Sequence, residues 1–153
     1  MISNRTMPSS TVIPELVYDD VGEAIEWLCR VFGFAERWRV ENHRAQLAVG
    51  NGCVVVRETP LRAEGDPPPP ELLRAMRESG RLHSVLVRVE DVDAHHERTR
   101  QAGAEIVEAP CSHPYGERQY LARDLAGHRW SFSQSIADIA PEQWGGVSGS
   151  AGG

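Results

Sequence analysis

SVLVRVEDVDAHHERTRQAGAEIVEA, residues 84–109, decides the fold, because an earlier stretch of the chain repeats its grammar. Ser84 to Glu90 alternates apolar and polar residues, as a half-buried strand does. Asp91 can cap a helix running from Val92 to about Ala102, and Gly103 ends it. AEIVEA supplies the next strand. In the first half, VIPELVY (Val12 to Tyr18) is strand-like. Asp20 follows, with Glu23 three residues on, a capping-box pattern. Val21, Ala24, Ile25, Leu28 and Phe32 then recur at helical spacing, and Gly33 stops the helix.

The parallel extends outward. After Gly33 come FAERWRV, RAQLAVG, an Asn51-Gly52 hairpin signal and CVVVRE. After AEIVEA come ERQYLAR, a turn around Asp124 to Gly127, and HRWSFSQ. Asp20 matches Asp91, Gly33 matches Gly103 and Gly52 matches Gly127. The order strand–helix–strand–strand–strand occurs twice. This predicts an α+β fold of two tandem βαβββ modules, residues 12–58 and 83–134, forming a curved mixed sheet around a cavity. Residues 1–11 and 135–153 read as a flexible N-terminus and a tail with little to bury. Between the modules, prolines at 67–70 exclude a helix interior or an inner strand. Glu71 to Ser79 reads as a short amphipathic helix. This linker, residues 59–82, is either a spacer or a lid.

The 153 residues suffice for one domain with a real core. A formal charge of −6 argues against nucleic acid as a partner. No apolar run reaches the length of a membrane span, and MISNRTMPSS lacks the apolar core of a signal peptide. The sparse cysteines Cys29, Cys53 and Cys111 suggest reduced thiols and a cytoplasmic setting.

The chain resembles the glyoxalase / bleomycin-resistance / extradiol-dioxygenase (vicinal oxygen chelate) superfamily. The residues that carry the resemblance are Asp20, Ala24, Trp27 and Phe32-Gly33. In the second half they are Asp91-Val92-Asp93-Ala94, Gly103-Ala104, Tyr115-Gly116-Glu117-Arg118 and Asp124-x-x-Gly127-His128-x-Trp130. The resemblance implies modules whose curved sheets enclose a cavity, with helices on the outer faces, and often a homodimer. It also implies four metal ligands, one from the first and one from the last strand of each module. Counting seven residues before each capping Asp and four after each turn Gly gives Ile13, Ser84, Val56 and Ser131. These do not make a transition-metal site, so no metal and no cofactor is expected. The GHRWSF ending resembles a subgroup that lacks the usual ligands.

Candidate ligand-binding residues are Glu15, Trp38, Arg88, Arg118, Tyr120 and Ser131. Arg88 is costly to bury in a strand, so it is expected to face the cavity, and Glu15 follows the same argument. Trp38 offers a flat apolar wall. Tyr120 can stack, and Arg118 can hold an anion bidentately. Glu58, two residues beyond Val56, is expected on the face of Glu15, where the two carboxylates would form either an acid/base pair or a hard-cation site. His128 reads as structural. Of the helical pair His95-His96, one is expected toward the sheet.

Three functions compete. One is metal-free binding of a small, aromatic organic molecule, as in antibiotic sequestration. Another is an isomerase, lyase or cyclase with Glu15 as the tentative catalytic residue. The third is a divalent-metal glyoxalase or dioxygenase. The first is favoured.

Overall fold

The structure, a computed structural model, describes residues 2–59, 69–79 and 83–149. Half of the linker, residues 60–68 and 80–82, and the last four residues of the tail therefore lie outside the described residues. The first module runs β1 (Glu15–Tyr18), α1 (Val21–Phe32), β2 (Ala35–Val40), β3 (Arg44–Val49) and β4 (Gly52–Glu58). Helix α2 (Pro70–Ser79) follows. The second module runs β5 (Ser84–Arg88), α3 (Val92–Gln101), β6 (Glu105–Ser112), β7 (Glu117–Arg123) and β8 (Arg129–Ser135). A 3-10 turn, Pro141–Trp144, lies in the tail.

The helix boundaries follow the local chemistry. Asp20 accepts from the Glu23 N–H at 2.9 Å, and Asp91 from that of Ala94 at 3.0 Å. Gly33 closes α1 at φ 78°, a conformation that costs a side-chain-bearing residue strain.

The tandem βαβββ architecture is as expected, and the two sheets stay separate and unclosed. Their orders are β1-β4-β3-β2 and β5-β8-β7-β6, each with its first and last strands parallel. Helices α1 and α3 each bury one side against the core, whereas α2 buries no residue. One hydrophobic core joins α1, the helix-facing side of its own sheet and that of the second sheet. Phe32 at the end of α1 meets Phe132 and Trp130 of β8 with ring centroids 5.0 and 5.5 Å apart. Burying such aromatic area across the seam ties the modules together. Polar bonds add to it: Tyr18 Oη donates to Asp124 at 2.5 Å, and His128 Nε2 donates to the Val17 carbonyl at 2.8 Å.

Each sheet consequently has one face in the core and one open face turned away from it. Leu16, Tyr18, Ala45, Leu47, Val54 and Val56 take the core side of the first sheet. Tyr120, Ala122, Trp130 and Phe132 take that of the second, with Val85 and Val87 packed against them. Strand alternation then assigns every other residue to the open faces.

Candidate functional site: two open sheet faces

The open face of the second sheet carries Ser84, Leu86 and Arg88 from β5. These stand opposite the row Val85, Val87 and Val89, which is the division expected from their alternation. Ser131 and Ser133 come from β8, and Glu117, Gln119 and Leu121 from β7, by the same period of two. A continuous polar network crosses it. Tyr115 Oη donates to Gln119 Oε1 at 3.2 Å, Gln119 Nε2 to Ser133 Oγ at 3.0 Å, and Ser133 Oγ to Glu117 Oε1 at 2.7 Å. The hydroxyls of Ser135 and Ser133 hold the Glu117 carboxyl below its ordinary range, and the charge of Arg88 adds to this. Arg88 and Glu117 thus feel each other on this face, although they stand on different strands.

The open face of the first sheet carries Glu15, Arg44, Gln46, Cys53, Val55 and Arg57. Arg44 Nη2 donates to Glu15 Oε1 at 2.5 Å, so Glu15 has a cationic partner on its own sheet. Both side chains are close to half exposed. Trp38 and Arg37 lie at a bulge of β2, where the register shifts between Glu36 and Trp38. Arg37 Nη1 donates to Gln46 Oε1 and approaches Cys53 Sγ at 3.8 Å.

Two predicted ligand contacts fall elsewhere. Tyr120 is buried on the core side, where its hydroxyl meets His95 Nδ1 at 2.6 Å and Thr99 Oγ1 at 3.0 Å. Burial pushes this phenol up to about 12. Arg118 stands two residues away on the same side and grips Asp93 of α3, Nε to Oδ2 and Nη2 to Oδ1, both at 3.0 Å. The bidentate grip expected for a ligand anion is spent on a carboxylate of the chain. Applied to ERQYLAR from the buried Trp130 and Phe132, alternation would have exposed Gln119 and Glu117 instead.

The carboxylate pair also dissolves. Glu15 stands level with Val55, whereas Glu58 stands level with Tyr18, on the opposite face. Glu58 Oε1 instead lies 2.9 Å from His43 Nδ1. The cause is the hairpin. Val49 pairs with Gly52, so the loop is Gly50-Asn51, and Gly50 takes the positive φ of 57°. The second hairpin loop is longer, with Arg123 pairing Arg129. The two turn glycines are therefore not equivalent landmarks. Leu16 pairs with Val56 as Val87 pairs with Phe132, which makes Val55, not Val56, the counterpart of Ser131.

With this correction the positions where metal-bearing members place ligands are Ile13, Val55, Ser84 and Ser131. The residues present do not fit a transition metal. Two offer no donor, and two offer only neutral hydroxyls. Among the described residues, no three His, Cys, Asp or Glu side chains converge.

Two clefts lie off the open faces. One of about 740 Å³ opens at the seam between the end of α1 and the start of α3, with Phe34, Val49, Asp91, His95 and Arg98 on its walls. Burial pulls the His95 imidazole below its ordinary range. The other, of about 390 Å³, lies under α2 against Tyr18, Leu125 and His128.

Paired βαβββ modules with a polar open face on each sheet define a class of proteins in which chemistry varies on a constant frame. The profile of the Glyoxalase/Bleomycin resistance protein/Dioxygenase superfamily matches residues 10–132, and the chain belongs to that superfamily. It is similar to TioX from Micromonospora sp. ML1, at 37% identity and a TM-score of 0.63, over 86% of this chain and 100% of that one. It is similar in fold to UcmS2, at 21% identity and a TM-score of 0.63, over 83% of this chain and 98% of that one. An uncharacterised protein of Mycobacterium tuberculosis is 29% identical over 132 residues, 82% of this chain and 75% of its own length. Among the described residues, no helix is long and apolar enough to cross a membrane.

Proposed function

We propose that this protein binds a small organic molecule of aromatic character on its open sheet faces without a metal, in the manner of a sequestering antibiotic-resistance protein. The observation that carries the reading is the content of the four family ligand positions. Ile13, Val55, Ser84 and Ser131 offer a divalent ion almost nothing. The same faces present Trp38, the Glu15–Arg44 pair and the network around Gln119, Ser133 and Glu117. A flat ring wall flanked by fixed hydrogen-bonding groups suits recognition of an organic ligand. Arg88 and Ser131 complete the contact set on the second sheet.

The reading includes a homodimer. The open faces of one chain do not meet each other, so a closed cavity needs the faces of a second chain. The free cysteines agree with a cytoplasmic setting.

The test is a thermal-shift screen of aromatic natural products, run with and without a chelator. A compound that raises the melting temperature equally in both supports the reading. Stabilisation that appears only with added divalent ion overturns it. The competing acid/base reading is separated by Glu15→Gln. Under the binding reading this variant keeps its ligand, with any loss confined to affinity. Lost turnover with retained binding would make Glu15 catalytic.

A further inference from the structure

The N-terminal arm lies against the open face of the first sheet, and the groups that hold it there describe a ligand. Trp38 Nε1 donates to the Thr6 carbonyl at 3.0 Å, and Arg37 Nη2 donates to the Arg5 carbonyl at 3.4 Å. Both acceptors are peptide carbonyls, and neither contact uses an arm side chain. The arm keeps its shape through a local turn: Asn4 Oδ1 accepts from the Thr6 N–H at 3.0 Å and the Thr6 hydroxyl at 2.8 Å. Beneath this region Gln46 is 0% exposed, although its position in β3 is on the open side.

The arm satisfies this face incompletely. Gln46 Nε2 is buried with no hydrogen-bond partner, and so are Arg57 Nε on the same face and Ser10 Oγ in the arm. A buried donor without an acceptor is costly, and native proteins rarely leave one without a water, an ion or a ligand to meet it. Two of the three are N–H groups that can only donate, and the third is a hydroxyl. Arg37 and Trp38 are donors as well. The missing complement is therefore a set of oxygen acceptors rather than a cation or a hydrogen-bond donor.

We propose that the open face of the first sheet recognises a ligand rich in carbonyl-type oxygens, and that the arm around Arg5 and Thr6 is its built-in competitor. This rests on the reading that the open faces bind ligand, and it adds the ligand's chemical class and a control device. A ligand with amide, ester or quinone oxygens displaces the arm, takes over the Trp38 and Arg37 donors, and reaches Gln46 Nε2 as well. The arm lowers the apparent affinity of any such ligand by the fraction of time it occupies the face. It also shields the buried donors when no ligand is present.

The probe is the acetylated, amidated peptide of residues Ile2–Ser9, added to the full-length chain. The reporter is the indole N–H resonance of Trp38, one of 4 tryptophans. Asn4→Gly with Thr6→Gly loosens the arm at exposed positions and leaves the face untouched. That chain should bind the peptide at least tenfold more tightly than the unaltered one, with a shift at Trp38. Adding Trp38→Phe, followed by calorimetry, should weaken the peptide about fivefold, the worth of one neutral hydrogen bond. Equal binding to unaltered and loosened chains overturns the proposal, as does a shift confined to the other indoles. A screened compound that binds both chains alike overturns the competition but leaves the general binding reading intact. Peptide binding at Trp38 with no organic ligand from the screen does the reverse.

Discussion

Asp124 carries more of the seam between the modules than its place in a hairpin turn would imply. It is 3% exposed. Oδ2 accepts from Tyr18 Oη at 2.5 Å and Trp130 Nε1 at 3.0 Å, and Oδ1 accepts from the N–H groups of Ala126 and His128, both at 3.0 Å. Burial and the neighbouring Asp124 charge push the Tyr18 phenol well above its ordinary range, so it remains a donor at any working pH. Asp124→Ala would strand two buried donors from different modules. The expected cost is about 3 kcal/mol or more in urea unfolding. Tyr18→Phe removes one partner only and should cost about 1 kcal/mol.

His95 makes the same seam sensitive to acid. Burial favours its neutral form, and nearby Arg98 opposes the charge as well, while the Phe32 carbonyl pulls the other way. The unfolded chain, with a histidine near pKa 6.5, therefore takes up the proton at higher pH than the folded chain. Stability is full above that value and falls as the pH drops below it. Between pH 7.5 and 5.5 the chain should lose an amount on the order of 1 kcal/mol that His95→Gln does not lose. Paired denaturant titrations at the two pH values measure the difference, and a slope identical in both chains refutes the assignment.

At the scale of elements, the β6–β7 turn depends on a glycine for space as well as for conformation. Gly116 has φ 86°, and a Cβ there would sit 2.3 Å from the Ala137 carbonyl oxygen. Its own carbonyl accepts from the Ile136 and Ala137 N–H groups at 2.8 and 3.2 Å, which docks the start of the tail onto the turn. Gly116→Ala adds left-handed strain to a backbone clash and should destabilise the chain by about 2 kcal/mol. The tail should detach first, and faster proteolysis after Ile136 with a red-shifted Trp144 emission would show it.

Elements were legible where one residue type has one physical role. Asp20 and Asp91 cap helices because a short carboxylate reaches the N3 N–H, and the alternation of β5 separates Arg88 from its valines. Legibility failed where a landmark has two positions open to it. Asn51-Gly52 is a good hairpin pair, but Gly50 sits beside it and took the turn, which moved Val56 and Glu58 to the core side. ERQYLAR has polar and apolar residues on both faces, so only its pairing with Phe132 settles where Tyr120 and Arg118 point. The Arg118–Asp93 grip and the arm over Trp38 join residues 25 and 32 positions apart, beyond the reach of any local pattern.

At the scale of the whole molecule, each sheet has one face in the core and one face open. The core takes one side of each sheet, so the faces that carry Trp38, Arg44, Gln119 and Ser133 are turned away from it. An outward sheet face in a monomer is usually polar throughout, yet Leu86 in the middle of β5 is 63% exposed and Val40 is 54% exposed. Exposed apolar side chains on an otherwise polar sheet face fit an interface better than they fit solvent. If open faces from two chains close on each other, light scattering on a sizing column gives twice the 16.9 kDa of the chain. Leu86→Glu then places a charge in that interface without touching the core. It should yield a folded species of single-chain mass that no longer responds to ligands stabilising the parent. Leu86→Met keeps the apolar contact and should keep the dimer. A parent that runs at single-chain mass with ligand bound refutes the pairing of open faces from two chains.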